Sequence, residues 1–229
     1  MSQLTASAKL FGTTTLDERQ AALARKTYAL LTLGVGGAIV GGHLGSQSLA
    51  LAQIFSRPVG WLVALVLINV VPRLALWAAG RSAPLALAML VLDGLLAGLV
   101  LAPLLLVARY AAPGVLTASL GVTLAVFIAI TGYVMMARRR FCAPVGLMTG
   151  LFVGIVGAMV LNALLHIGLP GVMIAAGIGA LGVLMLVHAT SDVLNNPDFD
   201  NPIAGALMLF GGLFNIFVAV LNVLLRLRK

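Results

Sequence analysis

Long runs of apolar residues, separated by short polar or charged segments, make up most of the chain. A helix needs about 20 apolar residues to cross a bilayer, so each uncharged run predicts membrane-spanning helices. No formal charge stands between Arg140 and Asp192, and the Gly and Pro residues of 166–171 divide that run into two spans. The pattern predicts seven spans, at residues 28–50, 59–79, 83–107, 114–136, 143–165, 171–190 and 203–225.

Composition supports this interpretation. Hydrophobic residues make up 62% of the chain and charged residues 9%, whereas a soluble domain carries about 25% charged residues. We therefore expect an all-α membrane protein with the lipid bilayer as its solvent. Residues 1–24 are predicted to form a polar N-terminal tail and residues 25–229 a transmembrane domain. Thr15 and Glu18 have capping-box spacing, which predicts a helix start at Thr15.

The net charge of +8 comes from bases at the ends of the apolar runs. Bases in such positions anchor helices and set topology, so we expect no binding to nucleic acid. The loops on one side hold Lys9, Arg19, Arg25, Lys26, Arg81, Arg138, Arg139 and Arg140, and the other side holds Arg57, Arg109, Arg226, Arg228 and Lys229. This excess predicts a cytoplasmic N-terminus and an external C-terminus. The alternative is a re-entrant seventh segment that returns the C-terminus to the inside.

Charged residues at membrane depth are costly and are often functional. Arg73 lies in the second predicted span and Asp93 near the middle of the third, at depths that differ by roughly 6 Å. They are predicted either to form a structural ion pair or to line a path for cations or protons. His188, near the end of the sixth span, completes a candidate polar core, either as a pH-sensitive group or as a polar anchor.

Glycines repeat every four residues in two of the predicted spans. They are Gly37, Gly41 and Gly45 in the first span, and Gly146, Gly150 and Gly154 in the fifth. This spacing places each set on one helix face, where another helix backbone can approach closely. Packing within one chain is the first interpretation, and dimerisation is the second.

Motifs of enzymes and of metal sites are missing from the sequence. It has no nucleotide-binding glycine loop between a strand and a helix, no His-Glu-x-x-His and no serine nucleophile elbow. We therefore expect no enzyme, no catalytic residue, no cofactor and no metal. The acidic segment 192–201 lacks the glycine and glutamate of an EF-hand loop, so it is interpreted as a turn that starts helices, with calcium binding as the alternative. Cys142 is interpreted as an apolar filler or as an activated thiol beside the preceding arginines.

Five short motifs follow one another in an order that resembles the Bax inhibitor-1 family, especially its bacterial YccA branch. They are residues 25–31, the Gly-x-x-Leu-x-Pro element at 98–105, the segment from Tyr133 to Phe141, residues 188–194, and Leu-Phe-Asn-Ile-Phe-Val at 213–218. The positions that match the family motifs in the last two segments are Thr190, Ser191, Asp192 and Asn215. The resemblance implies a seven-helix bundle whose last helix is wrapped by the others, in the inner membrane of a bacterium.

The sequence also departs from the family pattern. Some members carry two intramembrane aspartates tied to a pH-dependent calcium leak, and here those positions are Ala189 and Gly212. Neither side chain can bind a cation or a proton, and Arg140 replaces the acid of the basic loop motif.

The YccA branch is similar to modulators of a membrane-bound AAA protease. The resemblance therefore implies a non-enzymatic protein that acts in membrane-protein quality control or stress response through membrane partners, such as that protease or another membrane protein. The polar tail would give a protease a segment to grip. The alternative is a leak channel for calcium or protons, lined by the candidate polar core.

Overall fold

Helices make up almost all of the described chain. The computed structural model describes residues 2–112, 114–137, 140–141, 145–165 and 171–228, and these contain no strand. Their helices are α1 (Ser2–Gln47), α2 (Leu49–Ser56), α3 (Pro58–Ala79), α4 (Ala83–Val100), α5 (Ala102–Ala111), α6 (Val115–Ala137), α7 (Val145–Leu165), α8 (Gly171–Asn195) and α9 (Pro202–Leu227).

Six of these helices are long and apolar enough to cross a membrane. They are the Glu18–Gln47 part of α1 together with α3, α4, α6, α8 and α9. The chain is therefore a multi-pass membrane protein, and six of the seven predicted spans are confirmed. The fifth predicted span coincides with α7, which is 21 residues long and contains the apolar stretch Gly146–Val160.

Two helix boundaries differ from the prediction. The third predicted span is broken at Leu101 into α4 and α5. Pro103 explains the break, because proline has no N–H to donate and its ring clashes with the carbonyl four residues earlier, whereas the first turn of a new helix accepts it. The first span ends at Gln47, because the Ser48 hydroxyl accepts a hydrogen bond from the Leu51 N–H at 3.2 Å and starts α2.

The start of α1 also differs. The capping spacing at Thr15 predicts a helix start there, but α1 begins at Ser2. The residues before Thr15 contain no proline. None of them therefore breaks the helix, which continues through the predicted cap.

The last helix carries much of the core. α9 packs most extensively against α8 and also against α1, α3, α4 and α6. Its Leu209, Phe210 and Ile216 join one buried cluster with residues of α1, α4 and α8. Its Leu221 and Leu225 join a second cluster with α5 and α6. Since no water is available to drive helices together in lipid, this close packing stabilises the bundle.

α1 and α4 approach each other backbone to backbone. A Cβ added to Gly94 would meet the Gly34 carbonyl oxygen, and one added to Gly41 would meet the Leu95 carbonyl oxygen. A Cβ added to Gly98 would meet the carbonyl oxygen of Ala38. Packing within the chain is therefore confirmed for the glycine repeat in the first span.

Candidate functional site

Polar side chains gather where the last turns of α8 meet the segment that follows α6. The Asn196 amide donates to Asp192 Oδ1 at 3.3 Å, and Asp192 Oδ2 lies 3.5 Å from His188 Nε2. Arg140 Nη2 lies 4.0 Å from Asp192 Oδ1. We call these four residues the Asp192 cluster. The Arg140 side chain is 46% exposed, so solvent screens its charge and the two shorter contacts contribute more to stability.

Side chains of α8 hold both backbone groups of Phe141. The Phe141 N–H donates to Ser191 Oγ at 2.7 Å, and the Phe141 carbonyl oxygen lies 3.3 Å from His188 Nδ1. The Phe141 ring also packs on Tyr133 of α6, with 5.5 Å between ring centroids. The segment after α6 is thereby fixed against the end of α8.

Helical spacing explains why these side chains meet. Residues 191, 192 and 195 lie three, four and seven positions after residue 188, so all four share one face of α8. That face lies against the end of α6, where the Asn195 amide donates to the Val134 carbonyl oxygen at 3.4 Å. The family motif positions Ser191 and Asp192 therefore act here as a clamp between two helix ends.

Thr190 lies on a different face of α8 and is fully buried, as is Thr27 of α1. Neither hydroxyl has a hydrogen-bond partner within the described ranges. Gly205 of α9 lies close by, because a Cβ added there would stand 2.8 Å from Val193 Cγ2 and 2.9 Å from Thr27 Cγ2. α1, α8 and α9 thus meet closely at this end of the bundle, and the two threonines fill the junction.

The three residues of the predicted polar core lie apart. Asp93 is 5% exposed and lies on the buried face of α4 together with Leu90 and Ala97. Arg73 is exposed on α3, and none of the ion pairs between described residues joins it to Asp93. The structure therefore does not form the predicted Arg73–Asp93 pair. His188 belongs to the Asp192 cluster.

Asn215, the motif position on α9, faces α8. Its amide nitrogen lies 3.5 Å from Met185 Sδ. A Cβ added to Gly182 would stand 2.9 Å from the Asn215 Cβ. Asn215 therefore takes part in the contact between α8 and α9.

The two positions that carry aspartates in some family members are buried in that same contact. Ala189 is 1% exposed. A Cβ added to Gly212 would stand 3.0 Å from the Leu186 nitrogen and 3.1 Å from the Gly182 carbonyl oxygen. Because these neighbours are backbone atoms, they cannot rotate away. The packing of α8 on α9 leaves no room at position 212 for a carboxylate.

The loop between α8 and α9 starts a helix, as predicted. Asn201 Oδ1 accepts hydrogen bonds from the N–H groups of Ile203 at 3.1 Å and Ala204 at 3.0 Å, which caps α9. Within the described ranges, no group of three His, Cys, Asp or Glu side chains could hold a metal ion. Five residues of the sequence considered as charged or reactive lie outside those ranges: Arg138, Arg139, Cys142, His166 and Lys229.

Sequence reasoning missed one further feature. A pocket between residues 19–26 of α1 and the loop 197–202, which we call the Arg19 pocket, is lined by Arg19, Gln20 and Lys26. The available signal was the spacing of seven residues between the two cations, which puts both on one face of a helix.

Comparison with known proteins gives one family. The family model described as "Inhibitor of apoptosis-promoting Bax1" matches residues 20–229. An uncharacterized protein of Campylobacter jejuni is 28% identical over 202 residues, which cover 87% of this chain and 86% of the relative. No solved structure matches the chain.

Proposed function

The chain belongs to the Bax inhibitor-1 family, and from that membership we propose that it is a non-enzymatic protein of a bacterial inner membrane. It modulates membrane-protein quality control or stress response by contacting membrane partners, and a membrane-bound AAA protease is the partner we propose to test. The relative from a bacterium supports the location in a bacterial membrane. Basic residues are more numerous in the loops predicted to lie on the same side as the N-terminus, which supports a cytoplasmic N-terminus.

We also propose that the chain has seven membrane spans, with the last helix, α9, at the centre of the bundle. The hydrogen bonds from Phe141 to Ser191 and from Asn195 to Val134 join the end of α6 to the end of α8. These two ends therefore lie on the same side of the membrane. Because α8 crosses, α7 has to cross in the opposite direction. The contacts of α9 with five other helices support its central position.

The proposal of a membrane partner rests on one face of α7. Gly146, Gly150 and Gly154 are exposed, and a Cβ added to any of them would have no atom within 4 Å. They line an apolar groove of about 510 Å³ beside Met173 and Ile174 of α8. We call this surface the α7 groove, and we infer that a transmembrane helix of the partner protein fills it.

The glycine repeat on α1 shows how another helix packs on such a face. On α1, the glycines with the same four-residue spacing are covered by α4, and the backbones of the two helices are in direct contact. α7 has the spacing but its main neighbour is α8, which leaves the glycine face open. Small residues let helices approach closely, whereas lipid chains do not require them. A partner helix therefore fits the α7 groove better than lipid does.

Replacing Gly150 by leucine is expected to reduce inhibition of the protease. In liposomes that contain the membrane-bound AAA protease of the host and a labelled membrane substrate, the wild-type chain should slow degradation. Gly150→Leu should require about a tenfold higher concentration for the same effect, because losing about 1.4 kcal/mol of contact free energy is a factor of ten.

The matched control is Gly121→Leu on α6, since Gly121 is also exposed and has no atom within 4 Å of an added Cβ. This variant should inhibit like the wild type. Unchanged degradation in the presence of the wild-type chain would contradict the role in proteolysis. If Gly150→Leu instead abolished a dimer of the chain and left inhibition intact, the groove would be a contact between two copies.

Asp93 supports a second candidate function, a leak of calcium or protons. It is a buried carboxylate inside a membrane-crossing helix, and neither ion pair of the described chain involves it. Such residues often mark ion pathways. Neither the α7 groove nor the Arg19 pocket is lined by Asp93 or His188, so we rank this function second.

Flux in liposomes tests the leak directly. If it exists, calcium or proton flux should vary across a pH series from about 5 to 8 and should fall to the level of empty liposomes in Asp93→Asn. Arg73→Gln is the control, because Arg73 is exposed and forms neither ion pair of the described chain. Wild-type flux no higher than that of empty liposomes would exclude the leak.

A further inference from the structure

The Arg19 pocket has a volume of about 200 Å³ and lies where residues 19–26 of α1 meet the loop between α8 and α9. One wall is Arg19, Gln20 and Lys26 of α1, and the other includes Phe199 and Asp200. Lys26 is the last charged residue before the uncharged stretch that begins at residue 27. The pocket is therefore at the level where the membrane surface begins.

Neither cation of this pocket forms an ion pair with another described residue. Arg19 and Lys26 lie on one face of α1, roughly 10 Å apart along the helix axis. Both ion pairs between described residues involve Asp192, so neither cation is neutralised by Asp200. Gln20 Nε2 is buried and has no hydrogen-bond partner in the described part of the chain. Two cations and one unused amide donor therefore face a space with a single carboxylate.

Hydrogen bonds hold the far wall in place. The Asp198 N–H donates to Asn196 Oδ1 at 3.1 Å, and the Phe199 N–H donates to the Asn196 carbonyl oxygen at 3.2 Å. The Phe199 ring lies 3.2 Å from the position of a Cβ added to Gly205, so it packs closely on α9. The pocket is thus preformed, and a ligand would not have to order the loop.

We propose that this pocket binds the phosphate headgroup of an anionic glycerophospholipid. Arginine and lysine are the residues that bind phosphate oxygens, and basic pockets at helix ends bind lipid headgroups. The two cations and Asp200 leave one net positive charge, which complements the single negative charge of a phosphodiester. Asp200 accepts a hydrogen bond from a headgroup hydroxyl, such as those of phosphatidylglycerol.

The position of the pocket favours a lipid over a soluble phosphate. Leu23 of α1 and Pro202 at the start of α9 also line it, so part of its wall is apolar. A headgroup bound here can leave its acyl chains in the bilayer. A free phosphate ion would gain the charge contacts but not the apolar ones.

Lipid binding to the full chain tests the proposal. The protein is purified in detergent and titrated with phosphatidylglycerol, with phosphatidylcholine of the same acyl chains, and with inorganic phosphate, and the bound fraction is measured by native mass spectrometry. We expect a preference for phosphatidylglycerol. Arg19→Gln and Lys26→Gln should each weaken that binding about fivefold. Gln20→Leu should weaken it as well, although it changes no charge.

Arg25→Gln is the matched control. Arg25 is an exposed cation on the same turns of α1, its Nε donates to the Ala21 carbonyl oxygen at 3.3 Å, and it does not line the pocket. It should leave the affinity unchanged. Equal loss in Arg25→Gln and Arg19→Gln would overturn the proposal in favour of unspecific surface attraction. Equal binding of both lipids, or displacement by inorganic phosphate at equal concentration, would also overturn it.

Discussion

Replacing Gly98 by alanine is expected to lower the free energy of unfolding by about 3 kcal/mol, the upper part of the usual range for overpacking. The added methyl group would meet the Ala38 carbonyl oxygen and the Gly42 nitrogen of α1, neither of which can rotate away. The two helices would have to separate along their whole contact. A second alanine at Gly94, which lies against the Gly34 carbonyl oxygen, should leave almost no folded protein.

Unfolding in mixed detergent micelles, followed by tryptophan fluorescence, measures this effect. Trp61 and Trp77 report on it because both lie on α3, which packs against α4. The control is Gly36→Ala, since Gly36 is exposed on α1 and an added Cβ there would have no atom within 4 Å. Its unfolding free energy should stay within about 1 kcal/mol of the wild type, with alanine the better helix former. Equal stability of the two variants would show that α1 and α4 do not pack as described.

Gly212→Asp, which introduces a carboxylate that some family members carry, is expected to destabilise the chain by about 3–5 kcal/mol and to create no calcium leak. The new side chain would stand against the Leu186 nitrogen and the Gly182 carbonyl oxygen. The carbonyl dipole repels a negative charge, and burying an unpaired charge is costly. Adding Ala189→Asp should destabilise it further, because that position is buried too.

The neighbouring glycine provides the matched control. A Cβ added to Gly211 would meet only the flexible end of Met185. Gly211→Ala should therefore change the unfolding free energy by less than about 1 kcal/mol, whereas Gly212→Ala should cost about 1–2 kcal/mol. A Gly212→Asp protein that is as stable as the wild type and conducts calcium would show that α8 and α9 can separate.

The sequence predicts most helices well because a long run of uncharged residues is a strong signal of a membrane-spanning helix. It does not show which way a charged side chain points within a span. Arg73 lies two residues after Val71 and two before Ala75, and both of those are buried. It therefore points away from the face of α3 that packs on the bundle. Asp93 lies on the same helix face as buried Leu90 and Ala97. A comparison of which helix faces carry small residues would therefore have distinguished the buried charge from the exposed one.

The Asp192 cluster was harder to predict. The residues of α8 were identified from the family motifs and their spacing places them on one face, but Ser191 and His188 also contact the backbone groups of Phe141. Backbone groups carry no sequence signal. The two glycine repeats look alike in the sequence, and only tertiary contacts distinguish the closed face on α1 from the open one on α7.

α9 contacts five other helices, and all five precede it along the chain. At about 5–20 residues per second, α9 leaves the ribosome roughly 10–40 s after α1. During that interval α1, α4, α6 and α8 stand in the membrane with the surfaces that will contact α9 still uncovered. The fold of these helices can be completed only after α9 has been made. Every newly made copy therefore passes through an unfinished state in which these surfaces are uncovered.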